Sequence, residues 1–262
     1  MIKDITIGQF FPGNSLVHRL DPRVKIILTV FFIVGLFLMK GIPSYILATV
    51  FVIAVIKNSK IAPKMIIKSL KPLVFIIVFT SILNIFYTQG EPLFEIGFIS
   101  VSKEGLILAF YMIWRIILLI AGSSLLTYTT SPILLTDGIE KLMSPLKKIK
   151  FPVHEFSMMM TIALRFIPTL IDETDKIINA QKARGADFEN GSLFERAKAL
   201  VPILIPLFIS SFSRADELAI AMECRLYHGG EGRTRLRVLK LVKTDYLVFL
   251  LTCAFFVLMV ML

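Results

Sequence analysis

Five apolar stretches, 24–39, 41–56, 72–88, 105–128 and 246–262, decide what this chain can fold into. Several are shorter than the roughly 20 residues that cross a hydrocarbon core, and the second alone would pass for a core helix of a soluble protein. Together they argue otherwise. Apolar residues make up 56% of the 262 positions and charged residues only 18%, with a mean hydropathy of +0.78. A soluble domain is nearer half apolar and a quarter charged. The expected fold class is an all-α integral membrane protein with about five transmembrane helices. The formal net charge of +10 could suggest nucleic acid, but basic loops beside apolar spans are its more ordinary source, and no nucleic-acid partner is expected.

The charges flanking the runs orient them. His18, Arg19, Arg23 and Lys25 precede the first run, which puts the N-terminus on the cytoplasmic side. Lys57, Lys60, Lys64, Lys68 and Lys71 fill the 57–71 segment, between the second and third runs, without an acid, so it too is cytoplasmic. The 89–104 loop sets Glu91, Glu95 and Glu104 against Lys103, as an outside loop can. Five spans then leave the C-terminus outside. "MIKDITIGQF" contains no apolar core of a signal peptide, so none is expected. Cys224 and Cys253 suggest no disulfide framework, and Cys253, inside an apolar run, reads as a buried inert thiol.

This pattern divides the chain into a membrane part with four spans (1–128), a cytoplasmic helical region (129–243) and a C-terminal span (244–262). Within 129–243 three helices are expected, at about 132–147, 152–184 and 193–227. "SP" at 131–132 supplies a cap and a proline at the first helical position, and "SLFE" at 192–195 is a capping box. Both long helices begin apolar and finish polar. Met158, Ile162, Phe166 and Leu170 make one apolar face; Phe208, Phe212, Ala215, Ala219 and Met222 make another.

Chemistry is conspicuous by its absence. No glycine is followed by lysine, so there is no phosphate loop; there is no Gly-x-Ser-x-Gly elbow. "HEFSM" starts like a zinc-protease helix but has Met158 where the second ligand would stand, and His18, His154 and His228 share no metal-ligand spacing. Catalytic and metal residues: none expected. Arg115, inside the fourth run, reads either as part of a transport path or as a structural tie to carbonyls or a polar group such as Asn84. With no intramembrane carboxylate to make a proton relay, the tie is favoured.

Two arginines stand apart. "NAQKARGADFE" (179–189) and "AMECRLYHGG" (221–230) each end a helical run on one arginine beside small residues. A cation complements the negative end of a helix dipole, but lysine would serve for that. Paired tips with little bulk ask for an interface, where guanidinium forks bind carboxylates or carbonyls bidentately. Two such tips fit two pockets on a dimeric or pseudo-dimeric partner.

With "SLVHRLDPRVK" (15–25), these motifs resemble the T component of energy-coupling factor (ECF) transporters over nearly the whole chain. The resemblance implies a non-catalytic, multi-pass scaffold in a bacterial or archaeal plasma membrane. Its partners would be two cytoplasmic ATP-binding cassette ATPases, which hold the ATP and Mg, and a membrane-embedded S component that captures a vitamin. This chain would bind no cofactor itself. By resemblance the ATPase-docking residues are Ala183, Arg184 and Gly185, a full Ala-Arg-Gly match, and Glu223, Cys224, Arg225 and Leu226, which keep the arginine but not its neighbours. Met158, Met159, Ile162, Phe166, Phe208 and Phe212 would offer the S component an oily surface. The competing classes are a secondary transporter or channel subunit with a basic cytoplasmic helical domain, which would need paired intramembrane charges, and a membrane enzyme, which would need a convergent catalytic cluster.

Overall fold

A computed structural model gives the fold and describes residues 10–39, 41–88, 92–96, 99–186, 188, 192–230 and 239–261. Glu91 of the expected outside loop, with Asp187 and Glu189 of the first arginine motif, lies outside these residues. The chain is an all-α membrane protein, decorated among the described residues by one antiparallel hairpin, β1 (Pro92–Ile96) and β2 (Ile99–Ser102), where the sequence suggests only a loop. Its contacts form two units, residues 8–138 with 239–262 and residues 139–238.

The first unit holds α1 (Leu16–Arg19), α2 (Pro22–Leu38), α3 (Ile42–Ser59), α4 (Pro63–Leu70), α5 (Val74–Tyr87), α6 (Lys103–Thr129), most of α7 (Pro132–Leu142) and α10 (Lys243–Met261). A 3₁₀ turn at Lys71–Leu73 carries α4 into α5, so the third apolar run is lengthened backwards through Pro72 into a helical stretch from Pro63 to Tyr87. Among the described residues, five helical stretches are long and apolar enough to cross a membrane: Ile42–Ser59, Pro63–Tyr87, Lys103–Thr129, Lys198–Glu223 and Lys243–Met261. This set differs from the five runs at one place. The first run folds as α2, 17 residues and about 25 Å long, at the short end of the lengths that span a ~30 Å hydrocarbon core. Much of a later helix, placed by the sequence reading in the cytoplasmic region, also has that length and composition.

The core gathers around α6. Phe32, Leu36, Tyr45, Ala48, Leu118, Ala121, Leu125, Phe256 and Met259 are buried in one cluster. Phe51 stacks on Phe255 at 4.8 Å and meets Phe256 edge-on at 5.5 Å. Gly122 lets Phe32 lie against α6: a Cβ there would stand 2.2 Å from the ring. Small residues serve in this way where helices pack without a hydrophobic driving force between them. The outward faces carry Val30, Phe31, Val34, Phe37, Phe75 and Phe79, all exposed, a surface suited to lipid and not to water. Cys253 is half-buried and not sealed in the core, because α10 presents apolar side chains on all sides.

Arg115 is tied, but not to Asn84, whose amide turns back to donate to the Thr80 carbonyl (2.9 Å). Its Nε donates to the Tyr45 hydroxyl at 3.0 Å, and its guanidinium lies over the rings of Phe37 (5.6 Å) and Tyr45 (5.9 Å). Two aromatic faces and one hydroxyl hold the cation in place.

The "SLVHRLDPRVK" motif proves to be a clamp. Ser15 caps α1 through the His18 N–H, and Asp21 caps α2 through the Arg23 N–H. Arg23 donates to both Asp21 oxygens and to the Leu239 carbonyl. Burial raises the Asp21 carboxyl, but the Arg23 hydrogen bonds and charge outweigh it and hold it below its ordinary range. Lys25, buried, spreads its three donors over the His18 and Thr129 carbonyls and the Thr130 hydroxyl. Asp245 closes the clamp from α10, accepting from the Asp21 N–H (3.0 Å) and the Val242 N–H (2.8 Å).

Candidate docking site at two helix tips

Residues 139–238 contain a 3₁₀ turn (Ser144–Ile149) and two 31-residue helices, α8 (Val153–Ala183) and α9 (Leu193–Glu223). α9 starts where the capping box predicts. Glu195 N–H donates to Ser192 Oγ (3.3 Å), and Ser192 N–H donates to Glu195 Oε2 (2.8 Å), which holds that carboxyl below its usual range.

Three polar contacts fix the pairing of α8 with α9. Glu173 accepts from Ser210 Oγ and, at 2.9 Å, from Arg214 Nη2. The Ser210 hydrogen bond first, and then Arg214, keep the Glu173 carboxyl below its ordinary range, so the clasp is ionised at neutral pH and loosens only as the pH falls through that lowered value. Gln181 Nε2 donates to the Pro202 carbonyl at 3.4 Å. Pro206, four residues on, has no N–H to give that carbonyl, so α8 supplies the missing donor. As position 173 meets 210–214 and position 181 meets 202, the helices run antiparallel.

That direction separates the tips. Gly230, just beyond the second tip, lies so close to His154 at the start of α8 that a Cβ on it would stand 2.7 Å from the imidazole. Arg184 lies at the opposite end of the same helix, on the order of 40 Å away at 1.5 Å per residue. The two arginine motifs therefore occupy opposite ends of an antiparallel pair.

Both helices nevertheless finish identically in backbone. After α8, Gly185 takes φ +85°, its N–H donates to the Lys182 carbonyl (3.0 Å), and the Ala186 N–H donates to the Gln181 carbonyl (3.0 Å). After α9, Leu226 takes φ +56°, its N–H donates to the Glu223 carbonyl (2.8 Å), and the Tyr227 N–H donates to the Met222 carbonyl (3.1 Å). Shifted from Arg184 to Arg225, this is one Schellman closure made twice. Ala183, Arg184, Gly185, Glu223, Cys224, Arg225 and Leu226 are all exposed. Among the described residues neither Arg184 nor Arg225 has an acceptor, so both forks face outward unspent.

The departure at the second tip is thus in side chain and not in path. A Cβ at Gly185 would meet nothing within 4 Å, so the glycine serves the left-handed turn and leaves the backbone bare. Leu226 makes the same turn at a cost of about 1–2 kcal/mol for an L-residue. Leu226→Gly is expected to steady this turn by about 1 kcal/mol and slow amide exchange at Tyr227 roughly fivefold. Exchange no slower than in the wild type would show that the turn is unstrained.

The expected oily surface splits in two. Met158, Ile162 and Phe166 are half-buried within this unit, whereas Met159 (57%), Phe208 (60%) and Phe212 (67%) are exposed. Val201, Leu204, Ile205 and Ile209, missed from sequence, join Phe208 and Phe212 on one exposed face of α9. The i, i+3, i+4 spacing in "ALVPILIPLFISSF" carries the signal. No group of three metal-ligating side chains occurs among the described residues.

Comparison with known proteins follows the same line. A family model described as cobalt transport protein matches residues 13–236. A Ruminiclostridium cellulolyticum protein named energy-coupling factor transporter transmembrane protein EcfT is 56% identical over 97% of this chain and 96% of its own length. The proteins of the same name from Clostridium kluyveri and Bacillus subtilis are 58% identical (95% of this chain, 93% of theirs) and 50% identical (91% of each).

Proposed function

We proceed from the fact that this chain belongs to the family of energy-coupling factor transporter transmembrane proteins, and propose that it is the mechanical coupler of its complex. It is a multi-pass transmembrane component of such a transporter. Two ATPase subunits dock on the tips at Arg184 and Arg225, and their ATP-driven movement passes through α8 and α9 to a membrane-embedded, vitamin-binding S component. One observation supports this reading above the rest: two helix ends about 40 Å apart, with different side chains, make the same turn and point a free guanidinium outward. The turn by itself closes many helices; the exposed arginine at the same position of both turns is what a pair of pockets on a two-subunit partner would engage.

In this reading the N-terminus and both tips are cytoplasmic and the C-terminus is outside, as the basic connections suggest. In a background free of Cys224 and Cys253, Ala183→Cys should react with impermeant thiol reagents only from the cytoplasmic face. Added ATPases should shield it. Labelling from outside sealed cells would overturn the orientation, and unchanged labelling with ATPases bound would overturn the docking.

ATP and Mg belong to the partners. Equilibrium dialysis of the isolated chain against Mg-ATP should return no stoichiometric binding; one nucleotide per chain would revive an enzymatic reading.

A further inference from the structure

A cavity of about 740 Å³ lies within the first unit, among α1, α2, α3, α6 and α10. Its floor is apolar and buried, with Phe32, Val52, Leu125 and Phe256. Its exposed lining is of a different kind: Leu16 and Leu247 beside the cations Arg19 and Lys243. Among the described residues no aspartate or glutamate lines it. Lys25 stands at the buried level, its donors already spent on protein oxygens. Arg19 and Lys243, in contrast, have no acceptor among the described residues.

We propose that this cavity is a binding site for one anionic phospholipid, with an acyl chain on the apolar floor and the phosphate between Arg19 and Lys243. Three of the lining helices, α3, α6 and α10, are apolar and long enough to cross a membrane, so lipid is the solvent that meets the opening. The volume lies in the range that holds ligands of several hundred Å³. Charge complementarity selects the headgroup: among the described residues the lining carries three cations and no acid, and Asp245, in the first turn of α10, is committed to the Asp21 and Val242 N–H groups. Basic pockets between transmembrane helices bind anionic headgroups on the same principle. The site is independent of the two arginine tips, which lie in the other unit, so it stands or falls without the docking proposal.

The test uses the full chain reconstituted in vesicles of equal phosphatidylglycerol and phosphatidylcholine, extracted gently and weighed by native mass spectrometry. The wild type should keep one phosphatidylglycerol, at least tenfold in preference to phosphatidylcholine. Arg19→Gln/Lys243→Gln should lose that preference, and Arg19→Lys/Lys243→Arg should restore most of it; both positions are exposed and unpartnered, so the fold is spared. Thr252→Phe, which fills the cavity, should reduce retention of any lipid. Equal retention of the two lipids, no retained lipid, or unchanged preference in the Gln variant would overturn the site. So would displacement of the lipid by inorganic phosphate at the same concentration, which would make the cations a free-anion site.

Discussion

Arg184→Ala/Arg225→Ala should release the ATPases from the complex and abolish vitamin uptake, while leaving the chain folded in the membrane. Both guanidiniums are exposed and without acceptors among the described residues, so their loss costs the fold little. Their contribution would lie in the complex. Truncating one member of a desolvated, hydrogen-bonded charge pair costs about 2–5 kcal/mol, which is roughly a thirtyfold to several-thousandfold loss of affinity per tip. Lysine keeps the charge and loses the planar fork, so Arg→Lys should recover only part of the loss. A helix-dipole role predicts a different pattern: full rescue by lysine and about 1 kcal/mol or less lost with alanine. The single variants carry more information than their sizes. Because two tips on one partner pair act bivalently, losing either converts an intramolecular contact into an open one, and each single variant should impair uptake. Pull-down and uptake, measured for both singles and the double, separate the cases. Normal assembly in the double variant would refute docking outright.

Those arginines were legible from sequence because the signals that end a helix are local. Ser192 and Glu195 announce α9 by spacing alone, and Ala183–Gly185 mark the end of α8. What stayed hidden was every feature in which distant positions meet. Leu226 gives no sign in sequence that it will take the left-handed conformation Gly185 takes, since the demand comes from closing the helix and not from the residue. The separation of the tips follows from the antiparallel pairing of α8 with α9, set by Glu173, Ser210 and Arg214 across 37 and 41 residues of chain. Arg115 illustrates the same limit. Its cost inside an apolar run was plain, but its partner, Tyr45, lies 70 residues away, and composition could only offer Asn84 as a polar group of the right kind. The ends of α2 are set by the Asp21 side-chain cap with Pro22 at its start and by the extended backbone of Met39 at its stop, local signals that hydropathy does not register.

The clamp at the start of α2 and α10 sets the second large effect. Asp245→Ala should destabilise the chain by about 3–5 kcal/mol, among the largest losses available from a single polar residue. Asp245 is buried at 3% exposure and lies 224 residues from the Asp21 N–H it accepts. Removing its carboxylate strands the buried Asp21 N–H, worth about 1–3 kcal/mol when left without an acceptor, and the part-buried Val242 N–H, which loses less because water can reach it. It also takes away one of the two acids that offset Arg23 and Lys25. The other acid of the clamp cannot replace it, because Asp21 already holds Arg23 through both oxygens. Asp245→Asn retains one acceptor but faces the other N–H with an amide, and should fall between wild type and alanine. For a chain of this size each kcal/mol shifts the midpoint by roughly 2–4 °C. Alanine should therefore lower the unfolding temperature of the purified full chain by about 10 °C, and asparagine by less. A shift within about 2 °C for alanine would mean that water or the headgroup region satisfies those amides, and that apolar packing against α2 and α3 is enough to hold α10 in place.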